Sequence, residues 1–485
     1  MHKFLEQGSQ NNKFYITSAI PYVNANPHIG HALEFVQVDC IKRYHQSLGE
    51  ETLSLSGGDE NALKNVQAAE AANIPVQEFV DKNTQIFLDL TKKLNCEFDI
   101  WQKGSDKTHH YPSVQLLWKK CDEAGDIYKK TYEGLYCLGC ETFYSPEELN
   151  ENGECFEHPG KKLQKVAEEN YFFALSKYQD KLIKLIQSDE LKIIPETRKN
   201  EVLAFLKEPL QDISISRTNE RAKNWGVVVP NDNSQRIYVW FDALNIYQSG
   251  IGFGWDEEKY NNYWPADVHV IGKGITRFHA VYWPAFLLSA KLLLPKSILI
   301  HGYLTVNGTK MSKTIGNVVN PTEIIDKYGA DALRYYLLAK FSPFSDGDFS
   351  ETKLKNAYNG DLANGLGNLI SRVAKLCENS GFEFPKINSL KLDNVVLENL
   401  SNYRFDEALK NLFDRFVAGL DSSINKEEPW KLEGQALKEF LKGAVSIINN
   451  LAYNLKPFLP ETAEKINKQF SGPKIYSQKG LFPRI

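Results

Sequence analysis

Apolar residues recur in two rhythms along this chain, and the change from one to the other marks out its parts. Phe14-Tyr15-Ile16-Thr17-Ser18 is a short, nearly continuous apolar run of the kind found in a strand buried on both faces, and it runs into the Pro- and Asn-rich turn from Pro21 to Pro27. A helical pattern follows from Gly30 to Ser47, and then a second strand-like run, Thr52-Leu53-Ser54-Leu55-Ser56, which closes on Gly57-Gly58-Asp59. Strand, loop, helix and strand in that order predict a βαβ crossover with ligand loops at the strand C-termini. Between Thr131 and Lys162 the periodicity fades into Gly, Glu, Asn and Cys, which predicts a small insertion held by something other than an apolar core. The runs 236–241, 268–271 and 297–300 are again short and apolar, and they are expected to rejoin the first sheet. After Gly360 the rhythm turns helical, with Leu362, Leu366, Leu369, Ile370, Val373 and Leu376 at i, i+3, i+4 spacing, and a helical bundle is predicted to the end.

Composition narrows the class. A length of 485 residues exceeds one ordinary core and predicts roughly two to four packed units. With 42% hydrophobic and 24% charged residues, the balance is that of a globular protein rather than a disordered or membrane one. No apolar run approaches the ~18 residues a bilayer span needs, and the polar stretch Met1 to Asn12 has no signal-peptide core, so a cytoplasmic protein without membrane contact is expected. Seven cysteines, an odd number scattered through the chain, argue against a disulfide framework and leave metal binding as the better use of any cluster. The net charge of −4 makes no case for nucleic acid, so any such recognition must come from particular side chains.

Three motifs carry chemistry. Pro27-His28-Ile29-Gly30-His31 stands where the first strand gives way to its helix, a place where unpaired N–H groups and the helix dipole favour a phosphate. Its two imidazoles can donate to phosphate oxygens, and Gly30 lets a nucleotide approach without meeting a Cβ. Gly308-Thr309-Lys310-Met311-Ser312-Lys313-Thr314 follows an apolar run and an Asn307-Gly308 hairpin turn; its lysines could neutralise charge as pyrophosphate leaves, although alone such a segment is commonly a solvated basic loop. Cys137-Leu138-Gly139-Cys140 and Cys155-Phe156-Glu157-His158 form two knuckles that supply three thiolates and one imidazole, the tetrahedral set of a structural Zn2+ site. Metal binding there would stabilise an insertion with little core of its own.

The histidine and lysine segments, in that order, resemble the two signatures of class I aminoacyl-tRNA synthetases. Ala19-Ile20-Pro21-Tyr22-Val23-Asn24, Val239-Trp240-Phe241-Asp242-Ala243-Leu244, Ile271-Gly272-Lys273, Phe278-His279 and Gly329-Ala330-Asp331-Ala332-Leu333-Arg334-Tyr335 are similar to methionyl-tRNA synthetases, over nearly the whole chain. The resemblance implies an α/β fold: a Rossmann-type parallel-sheet catalytic domain (1–118 and 226–305) split by a zinc-binding connective insertion (119–225), a signature-loop and stem-contact region (306–359), and an all-α helical-bundle anticodon-binding domain (360–485). It implies ATP with Mg2+, L-methionine and initiator and elongator tRNA(Met) as substrates. ATP would meet His28, Gly30, His31, Lys310, Met311, Ser312, Lys313 and Thr314, with His28, His31, Lys310 and Lys313 catalytic. Methionine would be lined by Ile20, Tyr22, Trp240, Ala243, Leu244, Tyr247, Ile275 and His279, with Asp59 on its α-ammonium group. Asn368, Arg372 and Trp430 would read the anticodon.

The chain departs from the family pattern in three places. Thr314 stands for serine and keeps the hydroxyl; His158 stands where many relatives have cysteine; and Asn61-Ala62 replaces a His-Gly, removing an imidazole that could contact substrate or nucleotide. The bundle is not followed by the extra tRNA-binding barrel of some members, and a monomer is expected. Synthetases for leucine, isoleucine or valine would need an editing insertion for which this length leaves little room. A cysteine enzyme would place zinc in the substrate pocket. A non-catalytic tRNA-binding relative or a zinc-ribbon module remains as a different class, to be separated by methionine-dependent ATP–pyrophosphate exchange.

Overall fold

The computed structural model describes residues 13–137, 142–144, 148–157, 160–311, 316–387 and 390–485. The chain divides into two compact units, and it passes between them several times. The first comprises Met1–Asn26, Glu51–Asp89 and Phe98–His301, the second Pro27–Glu50, Leu90–Glu97 and Gly302–Ile485.

The first unit is built on a six-stranded, wholly parallel sheet, in the order Ile100–Lys103, Glu51–Gly58, Lys13–Ser18, Val268–Gly272, Ser297–His301, Lys192–Ile194. Ile16 pairs with Val268 and Phe14 with Thr52, so Lys13–Ser18 lies at the centre. Its residues from Phe14 to Ser18 are all buried, which is why the strand reads as a continuous rather than an alternating run. From this central pair the chain proceeds outward in opposite directions, first to Glu51–Gly58 and later from Val268–Gly272 to Ser297–His301. That is the topological switch point, and the crevice beyond the strand C-termini there is the expected ligand site of an open parallel sheet. The edge strand Lys192–Ile194 escapes sequence reading because three residues carry no periodicity.

Two predictions for this unit need correction. The run 236–241 does not rejoin the parallel sheet. A strand at Asp232–Ile237 pairs antiparallel with Ser216–Thr218 and Val228–Val229, and Val239–Leu244 is a short helix whose residues are all buried. Apolar residues on every side satisfy a buried helix as well as a buried strand, so the pattern could not separate them. Likewise, the stretch near Thr131 is not irregular. Ile127–Cys137 and Gln164–Phe173 form a long antiparallel hairpin, flanked by Thr142–Tyr144 and Ile213–Ser214 in a four-stranded sheet. The consecutive residues Tyr128 to Thr131 are all exposed, so this part of the hairpin is solvated on both faces and leaves no alternating pattern to read.

In the second unit, the helix Ile29–Ser47 packs on Ala330–Ala339. The Asn307-Gly308 turn is as predicted: both residues have positive φ, 50° and 77°, and they join Leu304–Val306 to Thr309–Lys310 as a tight two-residue hairpin. From Glu351 to Phe470 the described residues form helices and connecting loops, including Asn368–Ser380, Gly434–Leu455 and Pro460–Phe470. Arg334, wholly buried, ties this unit together. Its guanidinium pairs with Asp39 at 2.7 Å and donates to the carbonyls of Leu94 (3.1 Å) and Phe458 (2.7 Å).

Candidate active site

His28 and His31 do more than stand at a helix start. His28 is the N-cap of Ile29–Ser47, with its Nδ1 accepting from the Gly30 N–H at 3.1 Å, while His31 Nδ1 accepts from the His28 N–H at 3.1 Å. This is a capping box made from two imidazoles, whose rings stack with centroids 3.8 Å apart. Because each Nδ1 is an acceptor, each neutral ring carries its proton on Nε2, which is the donor a phosphate oxygen needs. Burial, with the neighbouring His28 ring, holds His31 well below the ordinary histidine pKa, so it is neutral at pH 7. The role of Gly30 is also local: a Cβ there would stand 2.9 Å from His28 Cε1 and 3.7 Å from Met311 Cε. The glycine makes room for the signature imidazole itself, while Met311 stands at an ordinary contact distance.

The two signature segments therefore meet within one unit. The Ile29 N–H also donates to the Val319 carbonyl at 3.1 Å, which fastens the helix start to the chain just beyond the lysine segment. Lys310 ends the hairpin strand, pairing with Thr305. Ser312, Lys313 and Thr314 lie outside the described residues.

The residues assigned to methionine gather in the first unit, around the switch point. Ile20 and Tyr22 follow the central strand, and Ile275 follows its neighbour Val268–Gly272. Tyr22 forms a parallel bridge with Asp59, whose N–H donates to the Pro21 carbonyl at 2.9 Å. Asp59 is 3% exposed, a carboxylate withheld from bulk water. Trp240 lies edge-on to Tyr22 at 6.4 Å and to His279 at 6.3 Å, with Ala243 and Leu244 buried on the same short helix. Tyr247 Oη and His279 Nε2 are 2.8 Å apart, and His279 Nδ1 donates to the Ile275 carbonyl at 3.0 Å. His279 Nε2 is thereby the acceptor of the tyrosine O–H.

Side chains beyond the sequence assignments complete the slot. Phe278 stacks on Trp240 at 3.7 Å with planes 2° apart, and it could have been found as the neighbour of His279. His269 shares a 2.6 Å hydrogen bond with Thr17, and Lys64 sets its ammonium 3.5 Å from the centre of the Tyr22 ring. No sequence signal marked these. Asn61, which replaces an imidazole, faces the protein: its Nδ2 donates to the Gly104 carbonyl and to Asp242, each at 2.7 Å, and Tyr111 donates to its Oδ1.

The buried His269 and His279, with the half-buried His31, should make stability pH-dependent. Burial lowers His279 to about 4 despite its bond to the Ile275 carbonyl, and it holds His31 and His269 well below the ordinary range. An unfolded histidine protonates near pH 6.5, so the unfolded state takes up protons first as pH falls. Stability should decline from pH 6.5 to pH 4, by about 2 kcal/mol between pH 7 and 5 from His279 alone at ~1.4 kcal/mol per pKa unit. Denaturant titrations at the two pH values measure it, and a His279→Gln protein that kept the full slope would refute the assignment.

Of the four metal ligands predicted from spacing, Cys140 and His158 lie outside the described residues. Cys137, at the end of its strand, and Cys155 are buried with their Sγ atoms 3.3 Å apart. Two thiolates on one zinc stand about 3.8 Å apart and a disulfide measures about 2.05 Å, so these are converging thiols that fit a shared metal in type and direction. Among the described residues no group of three or more such ligands occurs.

Asn368 and Arg372 open the helix Asn368–Ser380 on one face. Arg372 is paired with Asp421 and donates to Asn425 at 2.9 Å. Trp430 sits in a short turn of helix and is 55% exposed, which removes the ordinary reading of a core tryptophan.

Among the described residues no helix is long and apolar enough to cross a membrane. Residues 14–374 match the family described as tRNA synthetases class I (M). The chain is similar to proteins named methionine–tRNA ligase. One is from Thermotoga maritima, 39% identical across 97% of this chain and 77% of that protein. Another is from Rhizobium meliloti, 38% identical across 97% and 98%. Among solved structures it is similar to Mycobacterium tuberculosis methionyl-tRNA synthetase in complex with methionyl-adenylate, with a TM-score of 0.89, 35% identity, and coverage of 97% of this chain and 100% of that one.

Proposed function

We infer the reaction from kinship: the chain belongs to the class I methionine–tRNA ligases, and it activates L-methionine with ATP and transfers it to the 3′-terminal adenosine of tRNA(Met). The methionine carboxylate oxygen attacks the α-phosphorus, the bond to the bridging oxygen breaks, and pyrophosphate leaves. A terminal ribose hydroxyl then attacks the carbonyl of methionyl-adenylate and expels AMP. Neither step requires a protein nucleophile, since positioning and charge neutralisation can supply most of the acceleration.

The aromatic slot at the switch point carries this reading. Tyr22, Trp240, Tyr247 and His279, with Ile20, Ala243, Leu244 and Ile275, present polarizable walls to a thioether, worth about 0.3–1.5 kcal/mol beyond burial. Buried Asp59 pairs with the α-ammonium group, and a neutral His279 backed by Tyr247 fits a ligand with an uncharged side chain. His28 and His31 donate Nε2–H to ATP phosphates, while Lys310 and Lys313 offset charge as pyrophosphate departs, with Met311, Ser312 and Thr314 completing the loop. Mg2+ accompanies ATP and screens its phosphates. A zinc ion on Cys137, Cys140, Cys155 and His158 would fix the tip of the insertion and take no part in the reaction.

In this reading residues 1–118 and 226–305 are the catalytic domain, 119–225 the connective insertion, from which Lys192–Ile194 returns to the catalytic sheet as its edge strand, 306–359 the stem-contact region and 360–485 the anticodon domain. The protein works as a cytoplasmic monomer on initiator and elongator tRNA(Met). The direct test is methionine-dependent ATP–pyrophosphate exchange without tRNA; its absence in the intact protein would refute the function. Trp430→Ala should lower tRNA charging about tenfold through lost base stacking, with exchange unchanged. A matching drop in exchange would remove Trp430, and with it Asn368 and Arg372, from a purely tRNA-reading role.

A further inference from the structure

One residue that departs from the family pattern takes no part in the chemistry above. Asn61 stands in place of an imidazole and is buried two residues beyond Asp59. Its amide bonds to three separate elements of the first unit. Nδ2 donates to the Gly104 carbonyl, just past the strand Ile100–Lys103, and to Asp242 Oδ2 on the helix Val239–Leu244, each at 2.7 Å. Oδ1 accepts from Tyr111, on the helix His110–Glu123, at 3.1 Å. Burial, with the Asp242 and Glu60 carboxylates nearby, pushes the Tyr111 hydroxyl above its ordinary pKa, so it stays a donor. Both neighbours of Nδ2 are acceptors, which fixes the orientation of the amide. A neutral imidazole offers one donor and one acceptor and could not make all three bonds. Asp242 is held in turn from its other side: Oδ1 accepts from the buried His110 Nε2 at 2.6 Å, and His110 Nδ1 meets Ser249 Oγ at 2.7 Å. The main chain around Asp59 is fastened as well. The Gly104 N–H donates to the Gly58 carbonyl at 3.0 Å, Asn65 Nδ2 to the Asp59 carbonyl at 2.7 Å, and Trp225 Nε1 to the Glu60 carbonyl at 2.8 Å. The two loops interlock closely, since a Cβ on Gly104 would stand 2.8 Å from the Gly58 oxygen.

We propose that Asn61 is a positioning residue for methionine activation, which ties the Asp59 segment to the helix carrying Trp240 and so aims the Asp59 carboxylate at the substrate's α-ammonium group. The inference rests on the synthetase reading above and on Asp59 as the partner of that ammonium. Methionine is an apolar tail with a charged head, and a slot grips both ends only while the carboxylate and the aromatic wall keep a fixed separation. Asp59 and Trp240 stand on different elements, and the Asn61–Asp242 bond joins those two elements two residues from each of them. A misplacement of about 1 Å at such a contact can cost as much as ~100-fold. Asn61 acts on the substrate only through Asp59, because each of its three bonds is spent on the protein.

Asn61→Ala is compared with wild type in ATP–pyrophosphate exchange, with methionine as substrate and with γ-(methylthio)butyrate as a competitive inhibitor. That analogue keeps the thioether and the carboxylate and lacks the amino group, so it cannot use Asp59. The expected result is a roughly tenfold rise in KM for methionine, with kcat, the KM for ATP and the inhibition constant of the analogue each within about twofold of wild type. In an Asp59→Asn background the same change should raise the methionine KM by less than about twofold, since the carboxylate it aims is gone. A methionine KM close to wild type in Asn61→Ala overturns the proposal. So does an equal loss for methionine and the analogue, which would make Asn61 a support of the whole slot. Should Asn61→Ala fail to fold, Tyr111→Phe removes only the bond to Oδ1; it should raise the methionine KM about threefold and leave the analogue unaffected, and no rise overturns the proposal. An Asp59→Asn protein with the wild-type methionine KM would overturn it through the Asp59 assignment, whereas lack of exchange in wild type would refute the synthetase reading itself.

Discussion

Replacing Gly30 with alanine is expected to slow methionyl-adenylate formation about a hundredfold while leaving methionine affinity and overall stability close to wild type. The added Cβ would lie 2.9 Å from His28 Cε1 and 3.0 Å from its Nδ1, so the imidazole must swing away. That movement breaks the bond from the Gly30 N–H that fixes the His28 tautomer, and it separates the stacked rings. The lost cap costs about 1 kcal/mol, and the higher helix propensity of alanine offsets it by a similar amount. Catalysis has no such compensation, because removing one preorganised donor to a developing anion typically costs 10²–10³ in rate, roughly. Methionine is assigned to side chains of the other unit, so its KM in exchange should stay within about twofold. A Gly30→Ala protein with normal exchange would mean that the His28 ring does not act on the phosphates.

Arg334→Leu should have the largest effect on stability. The arginine is 0% exposed, pairs with Asp39 at 2.7 Å and donates to Leu94, Phe458 and Pro457 carbonyls and to Cys96 Sγ at 2.9 Å. Removing it strands these acceptors and leaves Asp39 with Arg43 as its remaining described partner. Breaking one side of a buried pair costs about 3–5 kcal/mol, more than any surface pair here could. Urea denaturation, followed by a probe in the helix Ile29–Ser47, measures the loss, and Asp39→Asn in the same protein should restore part of it. A shift under about 1 kcal/mol, or no recovery in the double variant, would show that the carbonyl bonds rather than the ion pair matter, or that water replaces them.

The two predictions share a cause. The start of the signature helix and Arg334 are both held by groups far apart in sequence but inside the same unit: the Val319 carbonyl for the helix start, Leu94 and Phe458 for the arginine.

Periodicity and short-range chemistry were enough to read much of the molecule from its residues. The parallel strands 13–18 and 51–58, the helix between them, the Asn-Gly hairpin and the late helices all follow from local rules, because burial on two faces, one helical stripe or a positive φ each leave a direct trace in residue type. The signature segments were legible for the same reason, their spacing being local. Tertiary structure alone decided that Val239–Leu244 is helical, that Lys192–Ile194 is an edge of the main sheet, that Phe278 stacks on Trp240, and that Asn61 reaches Asp242. In each of these the partner lies well along the chain or the segment is too short to have a period, and the free energy that fixes it comes from contacts no local pattern records.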